Sequence, residues 1–303
     1  MRRPSSFFAV LFAAGLAVAG CGTTGTVEDS TDTAQDTSGG GVAFGTTTML
    51  GSVVGDIMEC AGGTAETLMP IGADPHDFSA SSEQVAALVD ADLVVANGLG
   101  LEEGLSDALA GAEADGAAVM EVAPMVNPIE FGAGVHSHEE GEEHAHEHGS
   151  MDPHFWHDAA RMAEASEMIA AELAEVTGDD AFATCGTEVH DALIDTDEQV
   201  RDILAAIPAE KRVLVTDHEA FGYFADAYDF KVAGVVIPGG STLAEPSSAE
   251  LAELVEVIQA EGVPAIFSNT ANISALVDAV AAEAGTQVEV VELYVGSLGA
   301  KGS

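Results

Sequence analysis

Short apolar runs alternate with stretches of helical period along this chain, and the alternation occurs in two separate blocks. The first block predicts strands over 42–48, 91–96 and 117–122, and helices over 50–60, 82–89 and 101–109. The second predicts strands over 212–216, 231–237, 265–268 and 287–293, and helices over 220–228, 248–261 and 273–284. Alternation of this kind implies a parallel sheet covered by helices. Between the blocks, residues 155–206 are rich in Ala, Glu, Leu and Asp with few strand formers, and read as long helix. The part over 178–206 would extend roughly 40 Å, enough to cross both blocks. The expectation is two parallel-sheet α/β lobes, an N-terminal lobe over 42–177 and a C-terminal lobe over 207–303, joined by a single long helix over 178–206. The length of 303 residues agrees, since it exceeds what one hydrophobic core usually serves. In open sheets of this kind ligands bind in the loops beyond the carboxyl ends of the strands.

The first residues belong to neither lobe. Met1-Arg2-Arg3 is a basic start, and the apolar run over 7–19 is too short for a stable membrane anchor, so residues 1–20 read as an export signal. Val18-Ala19-Gly20-Cys21 resembles the lipobox of bacterial lipoproteins. That resemblance implies acylation of Cys21 and an extracytoplasmic protein, on the outer face of the cell membrane or in the periplasm. Acyl burial contributes about 0.8 kcal/mol per CH₂, so two chains hold such a protein without a spanning helix. Residues 21–41 then form the lipidated end and a flexible linker, being small, polar and acidic.

Charge narrows the partners. Eight Lys and Arg face 52 Asp and Glu, a formal net charge of -44, which repels nucleic acid and anionic ligands and draws in cations. The carboxylates are spread along the whole chain, so most of them read as a surface adapted to high salt. Beyond Cys21 only Cys60 and Cys185 remain, too few for a cysteine-based zinc site or a dense disulfide framework. Whether these two pair is left open by the sequence.

Histidine carries the chemistry. Asp-Pro-His occurs twice, as Asp74-Pro75-His76 and Asp152-Pro153-His154, each between an irregular stretch and a helix. Proline fixes its own φ and drives its predecessor out of the α region, so each tripeptide aims its histidine from a stiff turn. His218 follows the strand over 212–216 directly. Three imidazoles delivered from three such junctions suit zinc, which takes nitrogen ligands in tetrahedral geometry. A different set, His136, His138, His144, His146 and His148, alternates with five glutamates in a low-complexity loop over 136–149 that has nothing to pack. It reads as a weak, multi-register metal collector; the bland alternative is a solvated acidic loop. His157 is expected to cap or pack, His190 to be structural, and Phe155 and Trp156 to be core.

The three stiff histidines lie in Gly72-Ala73-Asp74-Pro75-His76-Asp77-Phe78, in Met151-Asp152-Pro153-His154-Phe155-Trp156, and in Thr216-Asp217-His218-Glu219-Ala220-Phe221-Gly222-Tyr223-Phe224. With Ala91-Asp92-Leu93-Val94-Val95-Ala96-Asn97-Gly98-Leu99 and Glu245-Pro246-Ser247-Ser248-Ala249-Glu250-Leu251, these motifs closely resemble the zinc/manganese-binding lipoproteins that serve as solute receptors for ABC transporters. The resemblance runs from about residue 42 to the C-terminus. It implies two lobes joined by one long helix, a metal between them, and His76, His154 and His218 as ligands. Histidine at the third position marks the zinc type, where manganese-type members tend to carry a carboxylate. The implied role is capture of Zn2+, or alternatively Mn2+, by a lipid-anchored monomer that delivers it to a permease and its ATPase. Two departures stand out. The family's Leu-Tyr-Thr-Asp-Ser-Leu-Gly motif reads Leu293-Tyr294-Val295-Gly296-Ser297-Leu298-Gly299 here, with Gly296 in place of an aspartate ligand, and the chain stops at Ser303, where family members generally continue into another helix.

Two other classes compete. Three histidines also hold catalytic zinc, and Glu219 beside His218 is a conceivable base, but no His-Glu-x-x-His occurs: His138, His146 and His218 precede glutamate without a histidine at the fifth place. The expectation is therefore no enzyme. An adhesin or extracellular zinc buffer is the third class.

Overall fold

The structure, a computed structural model, describes residues 41–132, 151–271, 275–285 and 287–300. Residues 1–20, Cys21, nearly all of the linker, and His136, His138, His144, His146 and His148 lie outside them.

The N-terminal lobe begins with β1 (Val42–Gly45) and α1 (Thr48–Ala61). The strand expected over 42–48 stops at Gly45 because Thr47 turns to other work: its side chain accepts from Leu50 N–H and caps α1. A Cβ on Gly45 would lie 2.4 Å from the backbone nitrogen of Gly51, so glycine lets the helix leave the strand this tightly. Gly62 ends α1 in a left-handed conformation. Then follow β2 (Thr64–Thr67), α2 (Ser82–Val89) with its Ser81/Gln84 capping box, β3 (Leu93–Ala96), α3 (Ser106–Ala114) and β4 (Val119–Glu121). The helix expected over 101–109 is instead a 3₁₀ turn, Glu103–Leu105, leading into α3. All strands are parallel, in the order β2-β1-β3-β4. One face of the sheet packs Leu93 and Val95 with Leu50, Ile57, Phe155, Ile169 and Phe182; the other packs Phe44 and Val94 with Leu88 and Leu105.

The helical stretch between the blocks is a pair, α4 (Ala159–Thr177) and α5 (Ala181–Leu204). Asp158 caps the start of α4 by accepting from Ala160 and Arg161 N–H, and left-handed Gly178 ends it. The two helices approach closely at Gly186, where a Cβ would sit 2.3 Å from that of Ala170. A disulfide between Cys60 and Cys185 ties α5 to the end of α1. With 24 residues α5 is about 36 Å long. Phe182 at its start is in the first lobe's core, while Asp197 near its end accepts from Tyr228 Oη and Arg201 Nε, and Arg201 donates on to Ala227 O.

The C-terminal lobe comprises β5 (Val213–Thr216), α6 (Gly222–Tyr228), β6 (Lys231–Val235), α7 (Ser248–Glu261), β7 (Ala265–Asn269), α8 (Ala275–Ala284) and β8 (Glu289–Leu293). Its sheet is again all parallel, in the order β6-β5-β7-β8. Val215, Ile258, Ile266 and Val280 fill one face; Leu214, Phe221, Val232 and Val295 fill the other. Tyr223 of α6 is fully buried in the core of the opposite lobe, so the lobes meet through packed side chains. Among the described residues no helix is long and apolar enough to cross a membrane.

Candidate metal centre

The carboxyl ends of both sheets face one another, and the polar residues there are buried. Thr46 and Asn97 directly follow β1 and β3; Thr216 and Asn269 end β5 and β7, and Asp217 directly follows β5. His76 comes from the irregular segment after β2, His154 from the end of the segment after β4, and His218 from the second residue beyond β5. Each is at most 3 % exposed.

The three rings converge. His76 and His154 lie 3.3 Å apart at Nε2. Ring centroids are 5.4 Å apart for His76 and His154, 5.6 Å for His76 and His218, and 5.2 Å for His154 and His218. One nitrogen from each ring lies within 4.8 Å of the others. Two nitrogens bound to a tetrahedral zinc at 2.0–2.1 Å are about 3.3 Å apart, so the first pair already has the spacing of ligands on one ion. The donor set is all nitrogen.

Carboxylates behind the rings decide which nitrogen faces inward. His154 Nδ1 and His218 Nδ1 each donate to the Oδ1 of their own aspartate, Asp152 and Asp217, at 2.8 Å. Each Nε2 is thereby left with its lone pair toward the cluster, the arrangement that fixes tautomer and orientation in metal-binding histidines. Both aspartates also accept the backbone N–H of their histidine, at 2.9 and 2.8 Å. Burial pushes Asp152 up to about 7. Burial acts the same way on Asp217, but hydrogen bonds from the His218 ring, Asn269 N–H and His218 N–H hold it below the usual carboxylate range. Burial, then the neighbouring rings, lowers His76 and His154 well below an ordinary imidazole. His76 and His154 are thereby held neutral, the state a metal requires of its imidazole ligands.

The lobes are pinned together around this cluster. Asp74 accepts His76 N–H through Oδ1 and Thr242 Oγ1 of the other lobe through Oδ2, at 2.6 Å. Ser297 Oγ accepts from Gly72 N–H, Thr48 Oγ1 accepts from Leu298 N–H, and Trp156 Nε1 donates to Val295 O at 3.0 Å. Tyr223 Oη donates to Asp152 O.

The remaining sequence expectations fall out as follows. Phe155 is fully buried core, while Trp156 is only partly buried and spans the lobes. His157 stands off the cluster, stacked on Phe221 at 4.8 Å and 19°, with Nε2 shut off from solvent. His190 lies on the surface beside Asp191. A Cβ on Gly296 would be 2.8 Å from Pro75 Cδ, so the proline ring of the first tripeptide packs where a side chain at 296 would begin. The orienting role of Asp152 and Asp217 was not drawn from the sequence, although an aspartate one or two residues before each histidine was visible as a signal.

Comparison with known proteins agrees with this geometry. A family profile described as "ZnuA: Zinc-uptake complex component A periplasmic" matches residues 44–303. The manganese-binding lipoprotein MntA of Bacillus subtilis is 31% identical over 97% of this chain and 91% of its own length. The zinc-binding protein TroA of Treponema pallidum is 31% identical over 84% of this chain and 81% of its own. The solved structure of the periplasmic zinc-binding protein TroA from Treponema pallidum superposes with a TM-score of 0.73 at 28% identity, covering 87% of this chain and 91% of that one. Two parallel-sheet lobes meeting at three convergent histidines, together with a match over 44–303, make this chain a member of the zinc-uptake component A family of metal-binding receptors.

Proposed function

We propose that this chain captures Zn2+ outside the cytoplasm on His76, His154 and His218 and hands it to an ABC permease powered by its ATPase. The observation that carries the reading is the convergence of three buried imidazoles, contributed by both lobes, with a ring nitrogen of each within 4.8 Å of the others. Nitrogen donors suit zinc, whereas manganese prefers carboxylate oxygen. Gly296 supplies no side-chain donor atom, and Pro75 packs against it. In this reading the protein is anchored through lipid on Cys21, works as a monomer, and uses residues 136–149 as a weak secondary collector. The division into a signal (1–20), lipidated linker (21–41), lobes (42–177 and 207–303) and connecting helix (178–206) belongs to the same proposal. The chain binds and releases an ion and transforms no substrate. A manganese receptor is the second reading, favoured by the likeness to the Bacillus subtilis manganese-binding lipoprotein.

Calorimetric titration of chelator-stripped protein with Zn2+ and with Mn2+ tests this. His76→Ala is expected to abolish tight zinc binding, and deletion of 136–148 to lower stoichiometry alone. Loss of tight binding on the deletion alone overturns the sorting of the histidines; tighter binding of Mn2+ than Zn2+ gives the second reading. Uptake of labelled zinc by cells with and without the gene separates transport from an adhesin, and hydrolysis of model esters, abolished by Glu219→Gln, identifies an enzyme.

A further inference from the structure

The loop from β3 to α3 is wrapped around a carboxylate that does not touch the histidine cluster. Glu102 is 5 % exposed. Its Oε1 accepts from Asn97 N–H at 2.7 Å and from Thr46 Oγ1 at 2.6 Å, and its Oε2 accepts from Gly98 N–H at 3.1 Å. Gly98, Leu99 and Gly100 all adopt left-handed backbone, with φ of 81°, 54° and 80°. A leucine in that region persists only where its surroundings over-determine it, and here the buried carboxylate gathers the N–H groups that the reversal turns inward. The loop is a rigid platform, and Asn97 is what it presents. Asn97 is fully buried, and its Nδ2 donates to Pro153 O at 2.9 Å. The residue after that carbonyl is His154. Asp152 is tied by its backbone to Ile129 and to Tyr223 of the other lobe; Asn97 ties Pro153 to the sheet of its own lobe. His154 is thus gripped from both sides.

We propose that Asn97 and Glu102 are positioning residues of the metal centre: Glu102 fixes the backbone of Asn97, and Asn97 fixes the second Asp-Pro-His turn so that His154 Nε2 meets the other two rings. This rests on the reading of His154 as a metal ligand. Neither residue contacts the ion; each acts through the aim of one imidazole. A supporting partner of this kind typically changes metal affinity by about 10- to 100-fold.

The test uses the full chain in detergent, with zinc affinity read by chelator competition, the visible d–d spectrum of the Co2+ form, and the melting temperature of the metal-free form. Asn97→Asp keeps the shape and removes the donor. It is expected to weaken zinc about 10- to 100-fold and to change the cobalt spectrum, a readout that general loosening of the fold does not move. Glu102→Gln keeps an acceptor for Asn97 and Thr46 and is expected to weaken zinc by less than Asn97→Asp; should Asn97→Asp fail to fold, Glu102→Gln carries the test. Zinc affinity and a cobalt spectrum like the parent's in whichever variant folds overturn the positioning role, even if its melting temperature drops. Absence of tight zinc binding in the parent, or its persistence in His154→Ala, overturns instead the metal reading beneath it.

Discussion

At the scale of single residues, the centre is made by pairs in which an aspartate behind a histidine decides what the imidazole can do. Asp152 and Asp217 hold Nδ1 and so expose Nε2. His157, one helical turn from His154, shows the contrast: it has no such arrangement at Nε2, which is buried without a partner, and its ring is spent on stacking against Phe221. Burial first, and His154 and His218 second, lower its pKa from 6.5 to about 3. In the unfolded chain this ring takes a proton below pH ~6.5, while in the folded chain it does not, so its effect on stability is neutral above 6.5 and increasingly unfavourable as the pH falls toward about 3. His157→Phe is therefore expected to stabilise the metal-free protein by about 1 kcal/mol near neutrality, through removal of the unsatisfied nitrogen, and by more as the pH drops. Urea denaturation across that range checks it; a variant whose advantage shrinks on acidification contradicts the account. The three ligand candidates were legible because proline and strand ends mark stiff positions. The hydrogen bond from Asn97 to Pro153 was not, since nothing in either motif says that residues 56 apart meet.

At the scale of elements, apolar runs identified seven of the eight strands among the described residues, most clearly β1, β3, β5 and β7, because buried parallel strands have no polar face to dilute the signal. The eighth, β2, reads Thr64-Ala65-Glu66-Thr67, is largely exposed, and pairs with β1 at the sheet edge. Its strand character comes from its neighbour and not from its own residues. The long helical stretch was legible in composition and its break near Gly178 in the glycine, but the way α4 folds back on α5 depends on Gly186 meeting Ala170 across the pair. The disulfide then locks that pair to α1, closing a separation of 125 residues. A bridge over so long a loop stabilises chiefly by restricting the unfolded chain, with about 2–5 kcal/mol at stake. Cys60→Ser combined with Cys185→Ser is expected to lower unfolding free energy by that amount and to abolish any effect of reductant on the midpoint. An unchanged midpoint in the double variant contradicts the pairing.

At the scale of the whole molecule, two features act together: lobes pinned around a buried cluster, and a net charge of -44. Repulsion among that many carboxylates favours any state that separates them. Raising ionic strength from about 0.1 M to about 1 M shortens the screening length from about 10 Å to about 3 Å, so the melting temperature of the metal-free protein is expected to climb with sodium chloride. A midpoint that is flat or falls shows that the surface charge does not oppose folding. The indole of Trp156, the chain's sole tryptophan, is held by the carbonyl of Val295 from the facing lobe and sits 5.2 Å from His154. Nature has thus placed a single fluorophore at the seam, where a cation's arrival and any parting of the two halves both alter its surroundings. Ultraviolet emission of the unlabelled protein should change colour and intensity as zinc is titrated in, giving an optical gauge of loading that needs no dye, and a spectrum indifferent to zinc would mean that the seam does not register the ion.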